Sequence, residues 1–171
     1  MEAQYPIPNS RPLALPRGSV EARRGLAGMT FELRLPPALR RAVENHVRRG
    51  YPHEVCGLLI GRSTDGVNDV RAVHPARNLN VTRAHDRYQL DPSDQFAAEE
   101  SARAAGLTVV GVYHSHPDHQ AWPSETDRDA AWGGWSYLIV SVDAREVLDL
   151  RSFRLIDGFF QPESLTHESL P

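Results

Sequence analysis

The sequence predicts an α/β fold built on a single mixed β-sheet flanked by helices. Apolar, β-branched runs of strand length recur along the chain, and helical segments marked by four-residue spacing or by start and stop residues fall between them. No internal repeat interrupts this interleaving, and 171 residues suit one domain with a real core.

Phe31 to Leu35 reads as a short strand, and Leu39, Val43 and Val47 then recur every four residues along a helix ending near Gly50. Strand patterns follow at Val55 to Ile60 and around Val70 to Val73, with a loop rich in Asn, Arg and His through Asp86. Asp91-Pro92-Ser93-Asp94 opens a second helix running to about Ala105, with Gly106 as its stop. Leu107 to Tyr113 reads as a buried strand that carries His114 and His116 at or just past its C-terminal end. Pro123-Ser124 then starts a third helix, reaching about Trp132 before the break at Gly133-Gly134. Strands close the chain at Tyr137 to Val142, Val147 to Leu155 and Phe159 to Phe160, the last two joined by Asp157-Gly158, a good hairpin turn.

Residues 1–28 differ from the rest, with Pro6, Pro8, Pro12 and Pro16, with Arg11, Arg17, Arg23 and Arg24, and with little periodic apolar pattern. That composition suits a flexible arm, so the folded domain is expected over residues 29–171. The arm has no continuous apolar core for a signal peptide, and Met29 offers a second start.

Net charge is −3, from 22 acidic against 19 basic residues, so there is no basic footprint for nucleic acid. No apolar stretch approaches a membrane span. All 19 basic residues are Arg, which removes lysine Schiff-base chemistry and any lysine attachment site on the chain itself. A single Cys, Cys56, rules out an internal disulfide framework and a Cys-rich structural zinc site, and points to the cytoplasm. Within its apolar strand it is expected to be a buried, inert thiol.

Chemistry concentrates in Gly111-Val112-Tyr113-His114-Ser115-His116-Pro117 and in Asp127, ten intervening residues after His116. Alternation along an extended backbone sends residues i and i+2 to one face, so both imidazoles can reach one ion. Asp127 falls on the first turn of the third helix, three residues after Ser124, close to a capping box. Capping alone explains such a pair, yet a first-turn carboxylate is also rigidly placed, as a metal site requires. Two imidazoles and a carboxylate take three positions around Zn²⁺ and leave the fourth open to water.

This pattern resembles the JAMM (MPN+) metalloprotease family, whose motif joins an upstream Glu to HxH, ten residues and Asp, with a Ser three residues before that Asp. The matching positions are His114, His116, Ser124 and Asp127. The upstream Glu falls on Glu54, directly before the apolar run Val55 to Ile60; alone it would read as a solvated connector between helix and strand. The resemblance runs from about Phe31 to near Phe160. More narrowly, Asn78, the Tyr88-Gln89-Leu90-Asp91-Pro92 stretch, the His-Ser-His-Pro run and the Pro-Ser before Asp127 look like the small prokaryotic members. Some of these are similar to peptidases that release cysteine from a ubiquitin-like sulfur-carrier protein.

The resemblance implies a three-layer fold reminiscent of the cytidine deaminases, a Zn²⁺ cofactor held by His114, His116 and Asp127, and Glu54 as general base. It also implies cleavage of peptide or isopeptide bonds after the Gly-Gly tail of ubiquitin-like proteins, a narrow segment able to add as a strand beside an exposed edge. A deaminase would need a PCxxC pair, which a chain with one Cys lacks. In the implied mechanism the metal lowers the pKa of a water to about 7, and Glu54 takes its proton and delivers it to the leaving amine. A Ser124 hydroxyl stabilises the oxyanion by about 3 kcal/mol, and so is expected to affect rate more than metal content.

Two other classes fit part of the pattern: a metal-free scaffold that only binds ubiquitin-like partners, and an Fe(II) oxygenase with a His-His-carboxylate triad. The intact set of Glu54, His114, His116, Ser124 and Asp127 argues against the scaffold, and Glu54 with Ser124 favours hydrolysis over oxygenation. His119 reads as a rim residue, while His46, His53, His74, His85 and His167 have no partners at metal spacing. Trp122 either packs on a substrate tail or anchors its loop.

Overall fold

The computed structural model describes residues 30–167; the segment 1–28 and Met29 lie outside them. The elements are β1 (Glu32–Arg34), α1 (Pro37–Gly50), β2 (Cys56–Thr64), β3 (Val67–Ala76), α2 (Pro92–Ala104), β4 (Thr108–Pro117), α3 (Glu125–Ala130), β5 (Ser136–Val142), β6 (Val147–Ile156) and β7 (Phe159–Thr166).

The sheet is mixed, as expected, but it is not the open, flanked sheet of a three-layer fold. Its strands run β1-β3-β2-β4-β5-β6-β7 and close into a barrel. The closure is made by β1, which pairs in parallel with β3 on one side (Leu33 opposite Asn68) and with β7 on the other (Leu33 opposite Leu165). Ser164 N–H donates to Phe31 O at 2.9 Å and Leu35 N–H to Thr166 O at 2.8 Å, welding the seam. Leu33 and Leu35 are fully buried and alternate with Glu32 and Arg34, which pair with each other at 2.9 Å. A three-residue strand announces itself in the sequence but not its neighbours, and here the neighbours decide the architecture.

Alternation along the central strands sorts their side chains into two cores. Leu59, Tyr113, Leu138 and Val140 pack with Val43 and Val47 of α1, whereas Leu58, Val112, Tyr137 and Ile139 pack with Ala98 and Ala102 of α2. Helices therefore cover both faces of β2, β4 and β5, the part of the expected layering that the barrel retains. The ends of α2 follow from local chemistry: Asp91 accepts Ser93 N–H at 2.8 Å as N-cap, and Gly106 stops the helix with φ +66°.

The barrel interior also holds a polar network. On β6, Ser152 and Arg154 flank Phe153 and alternate to the opposite face. Arg154 Nη2 donates to Glu163 Oε2 at 2.7 Å and to Ser136 Oγ at 3.2 Å, and Ser152 Oγ donates to Glu163 Oε1 at 2.6 Å. Asn68 Nδ2 completes the set by donating to Ser136 Oγ at 2.8 Å and Val110 O at 3.0 Å. The network joins β3, β5, β6 and β7, including both strands that β1 bridges.

Two strands run longer than their apolar patterns. β4 continues to Pro117, so His114 and His116 lie within it, and β7 continues through the polar Gln161-Pro162-Glu163-Ser164 to Thr166. Asp157 and Gly158, with φ of 51° and 82°, form the expected hairpin turn.

Candidate metal centre

β2 lies antiparallel on β4 with Cys56 opposite His114, and β5 runs parallel on the other side of β4. Within β4, Ser115 alternates away from the two histidines: its Oγ accepts Val55 N–H at 2.9 Å, and its N–H donates to Val55 O at 3.0 Å. This reciprocal pair fixes the residue after Glu54 to the residue between the histidines.

Glu54 is buried, at 7 % exposure, immediately before β2. Its N–H donates to Ala84 O at 2.5 Å, and its carbonyl accepts Asn78 Nδ2 at 3.0 Å. Asn78 is fully used, since Nδ2 also donates to Arg87 O and Oδ1 accepts the N–H groups of Asn80 and Gln89. It thus ties Glu54 to the loop between β3 and α2. Burial is the main influence on the Glu54 carboxyl and, with the Asp127 charge adding to it against the opposing pull of His116, raises it to about 7.

His116 Nδ1 donates to Gln120 O at 2.9 Å, which leaves its Nε2 lone pair facing the cluster. His114 Nε2 stands 3.1 Å from that atom and 3.3 Å from Asp127 Oδ1, and His116 Nε2 is 3.7 Å from Asp127 Oδ2. Zinc bonds of about 2.0–2.1 Å in tetrahedral geometry separate ligand atoms by roughly 3.3 Å, so this spacing accepts the ion. Converging buried lone pairs and a carboxylate call for a cation between them, and this donor set fits one.

Asp127 reaches the cluster from the first turn of α3, where Ser124 and Asp127 form a complete capping box. Ser124 donates to Asp127 Oδ2 through N–H at 2.6 Å and through Oγ–H at 2.7 Å, and its Oγ accepts Asp127 N–H at 3.2 Å. Burial opposes ionisation of Asp127, but the neighbouring His114 and His116 imidazoles and the hydrogen bonds from Ser124 hold its carboxyl well below the usual range. One carboxylate therefore both closes the helix cap and faces the two histidines.

Glu54, His116, Ser124 and Asp127 line one cavity of about 640 Å³. His114, fully buried, adjoins them at 3.1 Å from His116 and 3.3 Å from Asp127, so the five residues singled out in the sequence are neighbours, although the Ser124 hydroxyl is committed to Asp127 in this arrangement. Sequence reasoning assigns no role to Ser115 or Asn78, nor to Tyr88, whose ring stacks on His114 with centroids 4.6 Å apart. Tyr88 and Asn78 were visible only as part of the resemblance, because a partner in space leaves no local signal. His119 and Trp122 line the same cavity, while His46 Nδ1 instead sits 2.8 Å from Tyr113 Oη. Cys56 is buried and free, its thiol pushed up by burial to about 12, the state of an inert thiol.

The family described as prokaryotic homologs of the JAB domain matches residues 36–156. The chain belongs to this family. This JAB-domain chain is 40% identical over 118 residues to the desampylase of Haloferax volcanii, across 66% of its own length and 83% of that relative. It is 32% identical over 135 residues to the CysO-cysteine peptidase of Mycobacterium tuberculosis, covering 77% of this chain and 88% of the relative. The solution structure of a Desulfitobacterium hafniense protein matches it with a TM-score of 0.71 and 28% identity, covering 81% of this chain and 94% of the other. By class, the JAB-domain chain is a JAMM-type peptidase. None of its described helices is long and apolar enough to cross a membrane.

Proposed function

We propose that this protein is a zinc metallopeptidase that hydrolyses the peptide or isopeptide bond after the C-terminal Gly-Gly tail of a ubiquitin-like protein, either a sulfur carrier-cysteine adduct or a protein conjugate. The observation that carries the proposal is the convergence of His114 Nε2, His116 Nε2 and an Asp127 carboxylate at the wall of a cavity that Glu54, His116 and Asp127 line. The named relatives support the substrate class, since one is a peptidase of a CysO-cysteine adduct and another a desampylase.

His114, His116 and Asp127 would hold the ion, which when bound supplies Lewis acidity and a water acidified to a pKa of about 7. Glu54, raised to about 7 by its burial, is matched to accept a proton near neutral pH and to pass it to the departing amine nitrogen. The Gln120 carbonyl keeps His116 in the tautomer whose Nε2 is free to ligate. The Ser124 hydroxyl releases Asp127 and turns to the developing oxyanion, while the Ser124 N–H remains on the carboxylate.

The proposal is tested by stripping the protein with chelator, restoring zinc, and incubating each form with a ubiquitin-like carrier extended after Gly-Gly by cysteine or by a linear peptide. Cleavage at that bond by the zinc form alone is expected. Failure to cut either substrate would overturn the proposal.

A further inference from the structure

Glu54 is held at both its backbone groups by one stretch of the loop between β3 and α2. Its N–H donates to Ala84 O at 2.5 Å, and its carbonyl shares Asn78 Nδ2 with the carbonyl of Arg87, each at 3.0 Å. Two carbonyls on one amide nitrogen are near neighbours, so the backbone of Arg87 lies against that of Glu54. Both residues line the same cavity, and the Arg87 charge is felt at the Glu54 carboxyl.

The charges of this stretch do not cancel. Asp86 is committed to Arg83, which donates to its Oδ1 through Nε at 3.1 Å and to its Oδ2 through Nη2. Arg87 Nη1 lies 3.7 Å from Asp86 Oδ2, beyond hydrogen-bond range, and donates instead to the Asp86 carbonyl at 2.6 Å. Among the described residues, Arg87 Nε and Nη2 have no hydrogen-bond partner. Two guanidiniums therefore share one carboxylate, and the surplus cation belongs to Arg87, whose side chain is 33% exposed at the cavity. A partly covered guanidinium with open N–H groups calls for an anion, and its planar fork matches a carboxylate.

The chemistry of the bond says which carboxylate. Glu54 has to reach the attacking water and the departing nitrogen in turn, so a group beside Glu54 faces the leaving side. An amino acid joined through its amine to the Gly-Gly tail carries its own α-carboxylate two bonds from that nitrogen. A protein joined through a lysine side chain or an internal peptide bond has no carboxylate there.

We infer that Arg87 binds the free α-carboxylate of a single amino acid on the leaving side, so that the enzyme releases amino acids, cysteine among them, in preference to cutting protein conjugates. The inference rests on the peptidase reading above and chooses between its two substrate classes. Hydrolysis divides one water between the products: the carrier regains its C-terminal carboxylate and the amino acid its amine.

The test uses the zinc-loaded full chain and three substrates made on one ubiquitin-like carrier: Gly-Gly-alanine with a free carboxylate, the same adduct as an amide, and a linear protein fusion that begins with alanine after Gly-Gly. Alanine keeps a thiol from contributing. One charge-assisted pair predicts kcat/KM for the free acid about 10- to 100-fold above the amide and the fusion. In the R87M and R87Q variants that ratio is expected to fall toward unity through loss on the acid, with zinc content unchanged. Equal wild-type rates on acid and amide would overturn the inference and leave the peptidase reading standing. So would a preference for the acid that survives both variants, or an equal loss on all three substrates, which would make Arg87 a support of its loop. Cleavage of none of the three by the wild type would count against the peptidase reading itself and remove the inference with it.

Discussion

The Tyr88 ring lies against His114 with centroids 4.6 Å apart and planes at 28°, making the loop between β3 and α2 the packing partner of a buried imidazole. His114 Nδ1 is buried without a hydrogen-bond partner, so the Tyr88 stack gives the ring the support that a hydrogen bond at that nitrogen would otherwise give. Removing the ring in Y88A is therefore expected to weaken zinc binding about tenfold or more, as loss of supporting groups around metal ligands does. Y88F keeps the stack and should bind zinc like the wild type. Competition against a chelator reads both; equal affinity in Y88A would show that the stack is incidental.

The metal-free protein should carry a pH-dependent penalty at Glu54. Its carboxyl is raised to about 7 in the fold against 4.5 as the ordinary value, so the folded state keeps a proton that the unfolded state gives up. The penalty is absent below pH 4.5, grows between pH 4.5 and 7, and levels off above at about 3 kcal/mol, using 1.36 kcal/mol per pKa unit. E54Q has no proton to lose, so its advantage over the wild type should rise by that amount between pH 4.5 and 8 in denaturant titrations with chelator present. A flat difference across that range would mean that Glu54 is solvated.

Ser124 serves both the cap of α3 and the carboxylate of Asp127. S124A should lose about 1 kcal/mol of stability through the cap and about 10²- to 10³-fold in kcat through the oxyanion donor. Zinc content should remain, because the backbone N–H of residue 124 still donates to Asp127 Oδ2. Loss of zinc together with activity would make Ser124 a support of the ligand instead.

In the barrel interior, Arg154 and Glu163 are buried partners, with side-chain exposures of 4% and 0%. E163A leaves a guanidinium buried without its carboxylate and is expected to lower stability by about 3–5 kcal/mol, whereas an apolar pair at both positions, R154M with E163L, should recover most of that loss. Urea unfolding separates the two outcomes, and a small effect of E163A would show that water reaches the network.

The sequence shows the site more fully than the architecture, and the reason is physical. His114, His116, Ser124 and Asp127 belong to a strand end and a first helical turn, where the two-residue alternation and the capping box fix side chains locally. Glu54 needed the family resemblance, since nothing around a lone carboxylate announces burial. Barrel closure was hidden because it depends on which strands β1 lies between, a non-local fact carried by three residues. The end of β7 was hidden for the opposite reason: Glu163 is a strand residue facing an arginine rather than a core, so its polarity reads as loop. Tyr88 on His114 and Tyr137 beneath Trp132 are likewise contacts between segments far from periodic patterns.

The most direct test of the account compares the zinc-loaded wild type with zinc-loaded E54Q on a ubiquitin-like carrier extended beyond Gly-Gly. Both are expected to hold one zinc per chain while E54Q loses nearly all cleavage, since under the proposed function His114, His116 and Asp127 would hold the ion and Glu54 would carry the proton. An E54Q protein that keeps its zinc and cuts at the wild-type rate would contradict it.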